Sequence, residues 1–320
     1  MRAQLPNEAF ERLRLPNLQS WVTSRRAETV EAVTFRSGSA LTVLNTLVAD
    51  LTDDVPLPLL ASRLALKAAT ATSKLEGRMA GEGDIRDAFY LASGNNARGP
   101  DGELLAFWHA TTRLRMTGKD SSSQMRILLG PELEGSSDGW LADGAADVRS
   151  LGPLAGCVAA MRLVLEVDDR AERQACLMAD IILARALNWK TVLPISALGM
   201  TKGMLRNLVS GRSNADLIAQ QSLLSGIEDT IGLARVCAQR TAALKKVAPK
   251  LRAKGSDAAV GLFLSENAVS PSSMMTPIIQ GTTVPMTDRA ARRFCDRLVE
   301  LGVARELTGR SAFRFYGILP

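Results

Sequence analysis

One histidine, His109, occurs in the whole chain of 320 residues, and cysteine occurs only four times. A single histidine excludes a His-rich zinc site and any pair of catalytic histidines. Cys157, Cys176, Cys237 and Cys295 are far apart and form no Cys-x-x-Cys pair. That excludes a zinc knuckle and a thioredoxin-type redox motif. Four scattered thiols suit a reducing compartment. No apolar run approaches the roughly 18 residues that a membrane span needs. No N-terminal stretch has the charged-then-apolar layout of a secretory signal. No Walker-type GxxxxGK[ST] motif is present, and Gly199-Met200-Thr201-Lys202-Gly203 lacks the required Ser or Thr in frame. The expectation is a cytoplasmic protein without membrane partner, metal, cofactor or assigned catalytic residue.

Aromatic residues are also scarce, at 4%. Apolar residues make up 46% and charged residues 22%, the profile of a folded globular chain. With Ala and Leu abundant, such a core is built from helices. Leu41, Leu44, Leu47, Val48 and Leu51 recur at helical spacing from Ser37 onward. Asp53-Asp54-Val55-Pro56 breaks that helix, and a second follows to about Gly77. Asp84 leads into a helix over Ile85–Leu91, Ser93–Gly102 reads as a loop, and Glu103–Met116 as another amphipathic helix. Thr117–Ser123 reads as an exposed linker. Helices are expected again over Asp138–Val148, Pro153–Glu166 and Asp169–Asn188. A glycine-broken segment spans 195–212, and a long helix runs from Asn214 to Val247. The first 35 residues read as loosely packed.

The charge is unevenly spread. Residues 236–320 hold 13 basic and 6 acidic side chains, whereas the whole chain carries a net charge of only +6. All the excess positive charge therefore lies in the last quarter, as a polyanion-binding element would require. There, Lys245, Lys246, Lys250, Arg252 and Lys254 form a basic hinge. Ser256 or Asp257 caps a helix to about Glu266, and Pro271 starts a short one. Thr287 or Asp288 caps a sharply two-faced helix with Gly302 just past its end. Ala291, Phe294, Cys295, Leu298 and Leu301 share a sector of roughly 120°. Arg289, Arg292, Arg293, Asp296, Arg297 and Glu300 fill the other side. After Gly302, Val303–Leu307 and Ala312–Tyr316 alternate like strands around the turn Thr308–Ser311, which predicts a hairpin.

That order is the order of a winged helix-turn-helix. The fold class expected is mainly all-α: a multi-helix body over 1–250, then a small winged helix-turn-helix with a β-hairpin wing over 251–320. Arg289, Arg292, Arg293 and Arg297 would face the DNA major groove. Arg310 and Arg314 would belong to the wing, and the hinge residues would add phosphate contacts. The guanidinium fork suits both guanine edges and phosphates.

Several stretches resemble a bacterial family catalogued as domain of unknown function 1403. They are Leu244–Gly255, Thr287–Arg293 through Leu298–Gly302, and Arg305–Gly317. Shorter similarities fall at Leu64–Ala69, Arg86–Leu91 and Gly99–Gly102. The resemblance implies a bacterial, cytoplasmic protein and carries no site residues. Separately, Thr72 to Gly77, with Glu76-Gly77 closing it, is similar to the inhibitory helix of Fic-type AMP-transferases. Their catalytic loop begins His-Pro-Phe, whereas Ala110-Thr111-Thr112 follows His109, so that chemistry is absent. His109, beside Trp108, reads as a partly buried structural histidine.

The function expected is non-enzymatic binding of double-stranded DNA, as a regulator or an accessory of replication or mobile-element maintenance. The alternatives are a scaffold whose winged helix docks a protein or a second copy of the chain, and an enzyme with its site in the helical body.

Overall fold

A computed structural model describes residues 15–49, 54–92, 98–117, 121–251, 254–309 and 313–318. Among them are thirteen α-helices and one two-stranded antiparallel sheet. The chain is mainly all-α with a small C-terminal β-hairpin. It forms two compact units.

The larger unit takes in 17–49 and 64–231. Its helices are α1 (Val30–Val48), the later part of α2 (Leu57–Leu75), α3 (Glu82–Tyr90), α4 (Gly99–Arg113), α5 (Ser121–Leu129), α6 (Ser137–Leu151), α7 (Pro153–Val167), α8 (Glu172–Ala186), α9 (Lys202–Val209) and the first half of α10 (Ala215–Val247). Its core centres on α7 and α8. Every residue of α8 from Ala175 to Ala184 is buried, as expected of a helix apolar on all sides. Indole N–H groups inside this core find acceptors. Trp108 Nε1 donates to Thr72 Oγ1 at 3.0 Å, and Trp189 Nε1 to Asn45 Oδ1 at 2.9 Å.

Three elements depart from the expectation. α1 begins seven residues before Ser37, because Thr29 caps it by accepting from Ala32 N. The helix therefore reaches into the segment expected to be loose. α4 begins at Gly99, inside the expected loop. Pro100 sits in its first turn, where a missing N–H costs nothing, and Asp101 follows. α5 occupies part of the expected linker. Its first turn is the polar run Ser121-Ser122-Ser123, while Met125 and Leu129 supply its buried face.

The smaller unit takes in, among the described residues, 15–16, 54–63 and most of 232–318. α2 and α10 thus contribute residues to both units. It also holds α11 (Ser256–Phe263), α12 (Pro271–Met274), α13 (Asp288–Glu300), β1 (Arg305–Glu306) and β2 (Tyr316–Gly317). Strand β1 pairs antiparallel with β2, Arg305 opposite Gly317 and Glu306 opposite Tyr316. Val269, between α11 and α12, bridges Tyr316 on the other edge of β2. The paired backbone is therefore ordered β1, β2, Val269. Among the described residues the strands are shorter than the five-residue runs that alternation predicts, with pairing at the base of the hairpin. Inside, Phe263 and Phe294 rings lie 6.1 Å apart, and the Cys295 Sγ–Met275 Sδ distance is 3.8 Å.

Asn267 fixes the approach to Val269. It is 1% exposed, its backbone N–H donates to Ser62 Oγ at 3.2 Å, and its amide donates to Ser62 O at 3.1 Å. Gly317 is there because of space. A Cβ on it would stand 2.9 Å from Asn267 O and 3.2 Å from Leu307 Cδ1.

Candidate nucleic-acid interface

Helix α13 presents the arginine face. Its N-cap is Thr287, whose hydroxyl accepts from Ala290 N at 3.3 Å. Ala291, Phe294, Cys295 and Leu298 are buried, while Arg289, Arg292, Arg293, Asp296, Arg297 and Glu300 are exposed. The amphipathic pattern therefore orients all four arginines outward.

Their electrostatic situations differ. Arg292 Nε lies 2.9 Å from Asp288 Oδ2, and Arg297 Nη1 lies 2.8 Å from Glu300 Oε2. Arg289 and Arg293 have no ion-pair partner among the described residues. The sequence pairs Arg292 as readily with Asp296, four residues on, as with Asp288, four back. The structure selects Asp288 because Asp296 is engaged elsewhere. Its Oδ1 accepts from the Tyr316 hydroxyl at 3.3 Å, which ties β2 to the outer face of α13. Burial raises the Tyr316 phenol above its ordinary value, so it stays protonated and can donate.

Arg314 completes this corner. It hydrogen-bonds the Tyr316 side chain, and its Nε lies 3.8 Å from Glu306 Oε1. Lys245 and Lys246 in the last turn of α10, Lys250 just beyond it, and Lys254 lie before α11 in the chain. Lys245, Lys246, Lys250 and Lys254 are all exposed. Arg310 and Arg252 lie outside the described residues. One exposed cation that the sequence pattern did not single out is Arg305 in β1, opposite Gly317. Its place in the alternating run after Gly302 was the available signal.

The body holds charges of another kind. Glu76, at the end of α2, is clamped. Oε1 accepts from Arg173 Nε at 2.9 Å and Nη2 at 2.6 Å, and Oε2 accepts from Arg78 Nη2 at 2.6 Å. The glutamate of the Fic-like motif thus serves as an anchor between helices. A cleft of about 470 Å³ nearby is lined by Glu76, Asp169, Arg170, Glu172, Lys202 and Arg206. The nearly buried Glu172 pairs there with Lys202 Nζ at 2.9 Å.

Two buried titratable groups lie in this unit. Asp180 is fully buried on α8. Its Oδ1 accepts from Ile195 N at 3.0 Å and Ser196 N at 2.8 Å, and burial raises its carboxyl to about 7. These bonds fix the Ile195–Ser196 turn to α8, and Gly226 permits its close approach to α10. A Cβ on Gly226 would meet Ile195 O at 3.0 Å. His109 is 6% exposed, and its Nε2 has no hydrogen-bond partner among the described residues. Burial, then the charges of Arg113 and Arg98, lower it to about 4. It is a neutral packing residue against Phe89, with ring centroids 5.2 Å apart.

All four cysteines are buried free thiols. Among the described residues, no group of three or more His, Cys, Asp or Glu is placed to hold a metal. No helix among them is long and apolar enough to cross a membrane.

The architecture defines a mainly α-helical protein with a small, basic, hairpin-bearing C-terminal unit. Residues 7–318 match the family described as protein of unknown function DUF1403, and the chain belongs to that family. No curated protein matches the chain.

Proposed function

We propose that the C-terminal unit is a winged helix-turn-helix that binds double-stranded DNA, with α13 as the major-groove helix and the β1–β2 hairpin as the wing. The observation that carries this reading is the Val269–Tyr316 bridge. It turns a hairpin into a three-strand edge and gives the order α11, bridge strand, α12, α13, β1, β2. This order supports the winged arrangement and leaves α13 with its polar face outward. Arg289 and Arg293 supply uncompensated charge on that face, and Lys246, Lys250 and Lys254 add charge before it. The protein acts non-enzymatically, as a regulator or as an accessory of replication or mobile-element maintenance.

The test is equilibrium binding of the full chain to a mixed-sequence duplex across a salt series. Phosphate contacts release counterions, so log K falls linearly with log salt. The reading expects that slope, and expects Arg289→Ala with Arg293→Ala to reduce it. Absence of duplex binding at low salt, or binding indifferent to salt, overturns it.

A second reading has its own support. Asp288, Asp296 and Glu300 lie on the same face of α13, and two of them pair with arginines. A face balanced in this way also suits docking of another protein, including a second copy of the chain. A salt-insensitive stoichiometric partner, with no duplex binding, would favour it.

A further inference from the structure

Phe313 stands apart from every other aromatic residue described in the smaller unit. Phe263, Phe294, Phe315 and Tyr316 are buried, whereas Phe313 is 69% exposed. Its backbone is left-handed, at φ 58°. A bulky side chain rarely adopts that conformation, because its Cβ crowds the backbone. Reversing φ at this point breaks the in-and-out alternation and turns the ring to solvent. Two neighbours hold the position. Phe315 N–H donates to Thr308 Oγ1 at 3.4 Å, and Leu307 N–H to Phe315 O at 2.8 Å, closing the hairpin base. Arg314 follows directly and is fixed at Tyr316 and Glu306. Tyr316 is in turn hydrogen-bonded to Asp296 in the outer face of α13.

An exposed aromatic ring, adjoining an anchored guanidinium, is thus carried on a hairpin tied to the arginine helix. We propose that Phe313 is an apolar wedge that enters the minor groove of duplex DNA, unstacks a base step and bends the duplex toward α13. This inference rests on the DNA-binding reading above. The chemistry of the partner follows. An apolar ring entering the minor groove gains by replacing one base–base stack with its own face. The cost of opening the step is least at flexible pyrimidine–purine steps such as TA and CA. The preferred duplex therefore contains such a step beside the major-groove site and is bent when bound.

The test uses the full chain with two end-labelled duplexes of about 30 base pairs, long enough to span a bent site. One has a central TA step and the other an uninterrupted A-tract there. End-to-end energy transfer reports bending, and a salt series reports phosphate contacts. The wild-type chain is expected to bend the TA duplex and to prefer it roughly tenfold, the scale of one aromatic–base stack. Phe313→Ala and Phe313→Gly are expected to lose the bend and the preference while keeping the salt slope. The ring is exposed, and glycine accepts the positive φ, so the glycine variant retains the fold whatever the alanine one does. A Phe313 variant that bends and discriminates like the wild type overturns the wedge and leaves the DNA-binding reading intact. A wild-type chain that binds neither duplex overturns both.

Discussion

Val269 and Tyr316 exchange both of their backbone hydrogen bonds, Val269 N–H to Tyr316 O at 2.8 Å and Tyr316 N–H to Val269 O at 2.9 Å. This one pair joins the segment between α11 and α12 to the end of the hairpin. It holds only if the backbones come close, and Gly317 beside it has no room for a methyl group. Gly317→Ala forces Asn267 O or Leu307 to move, so it should destabilise the smaller unit by about 1–3 kcal/mol. Chemical denaturation followed by Tyr316-sensitive near-UV signals would measure the loss. An unchanged midpoint would mean that the strand edge yields without cost.

How far the fold is legible in the sequence depends on the kind of signal. The face of α13 is legible because burial repeats every three or four residues from Ala291 to Leu298, with Thr287 and Gly302 as end markers. The all-α class follows from the same periodicity in α1 and α10. α5 escapes notice because its first turn is polar and its two buried residues, Met125 and Leu129, are too few to set a period. The pairing of Val269 with Tyr316 is illegible for a different reason. A single bridge has no alternation, and its partners are 47 positions apart in the sequence. The division of the arginines into paired and free is also hidden. Spacing offers Arg292 two acids, and only the hydrogen bond from Tyr316 to Asp296 decides between them.

That division makes a graded prediction for binding. Arg289 and Arg293 meet a phosphate without first leaving a partner, while Arg292 and Arg297 must leave Asp288 and Glu300. Replacing Arg289 and Arg293 together by Ala should flatten the log K against log salt slope by about 2, at roughly 0.9 for each phosphate no longer neutralised. Replacing Arg292 and Arg297 together should flatten it less. Binding isotherms across the salt series distinguish the cases. Equal effects from the two pairs would show that the exposed ion pairs cost nothing to break, in line with the small worth of surface pairs in general.

Asn267 makes a prediction about stability alone. Its side-chain amide donates to Ser62 O inside the smaller unit, and its surroundings admit almost no water. Asn267→Ala leaves that carbonyl without this donor and opens a small void, at a cost of about 1–3 kcal/mol. Asn267→Asp should cost more, because a carboxylate cannot donate to a carbonyl and is buried. Thermal unfolding of the two variants gives the order, and Asp at or above Ala in stability would contradict it.

Asp180 and His109 make opposing contributions to stability over overlapping ranges of pH. The folded chain holds the Asp180 proton up to about 7, against an ordinary value of 3.8. Between those limits the folded state carries more protons at this site than the unfolded state, so stability falls as pH rises from about 4 to 7. His109 is lowered from 6.5 to about 4. There the unfolded state carries more protons, so stability rises with pH from about 4 to 6.5. Each contribution is a few kcal/mol at most, on the order of 1.4 kcal/mol for each pKa unit. In the wild type they largely cancel below about pH 6.5. Asp180→Asn keeps an oxygen for the Ile195 and Ser196 N–H groups and removes the titration. Its stability should climb from about pH 4 to about pH 6.5, where only His109 still titrates. His109→Leu should do the reverse, losing stability as pH rises from about 4 to about 7. Denaturant midpoints taken at closely spaced pH values would show the two slopes with opposite sign. Parallel profiles in the two variants would refute the burial of one group or the other.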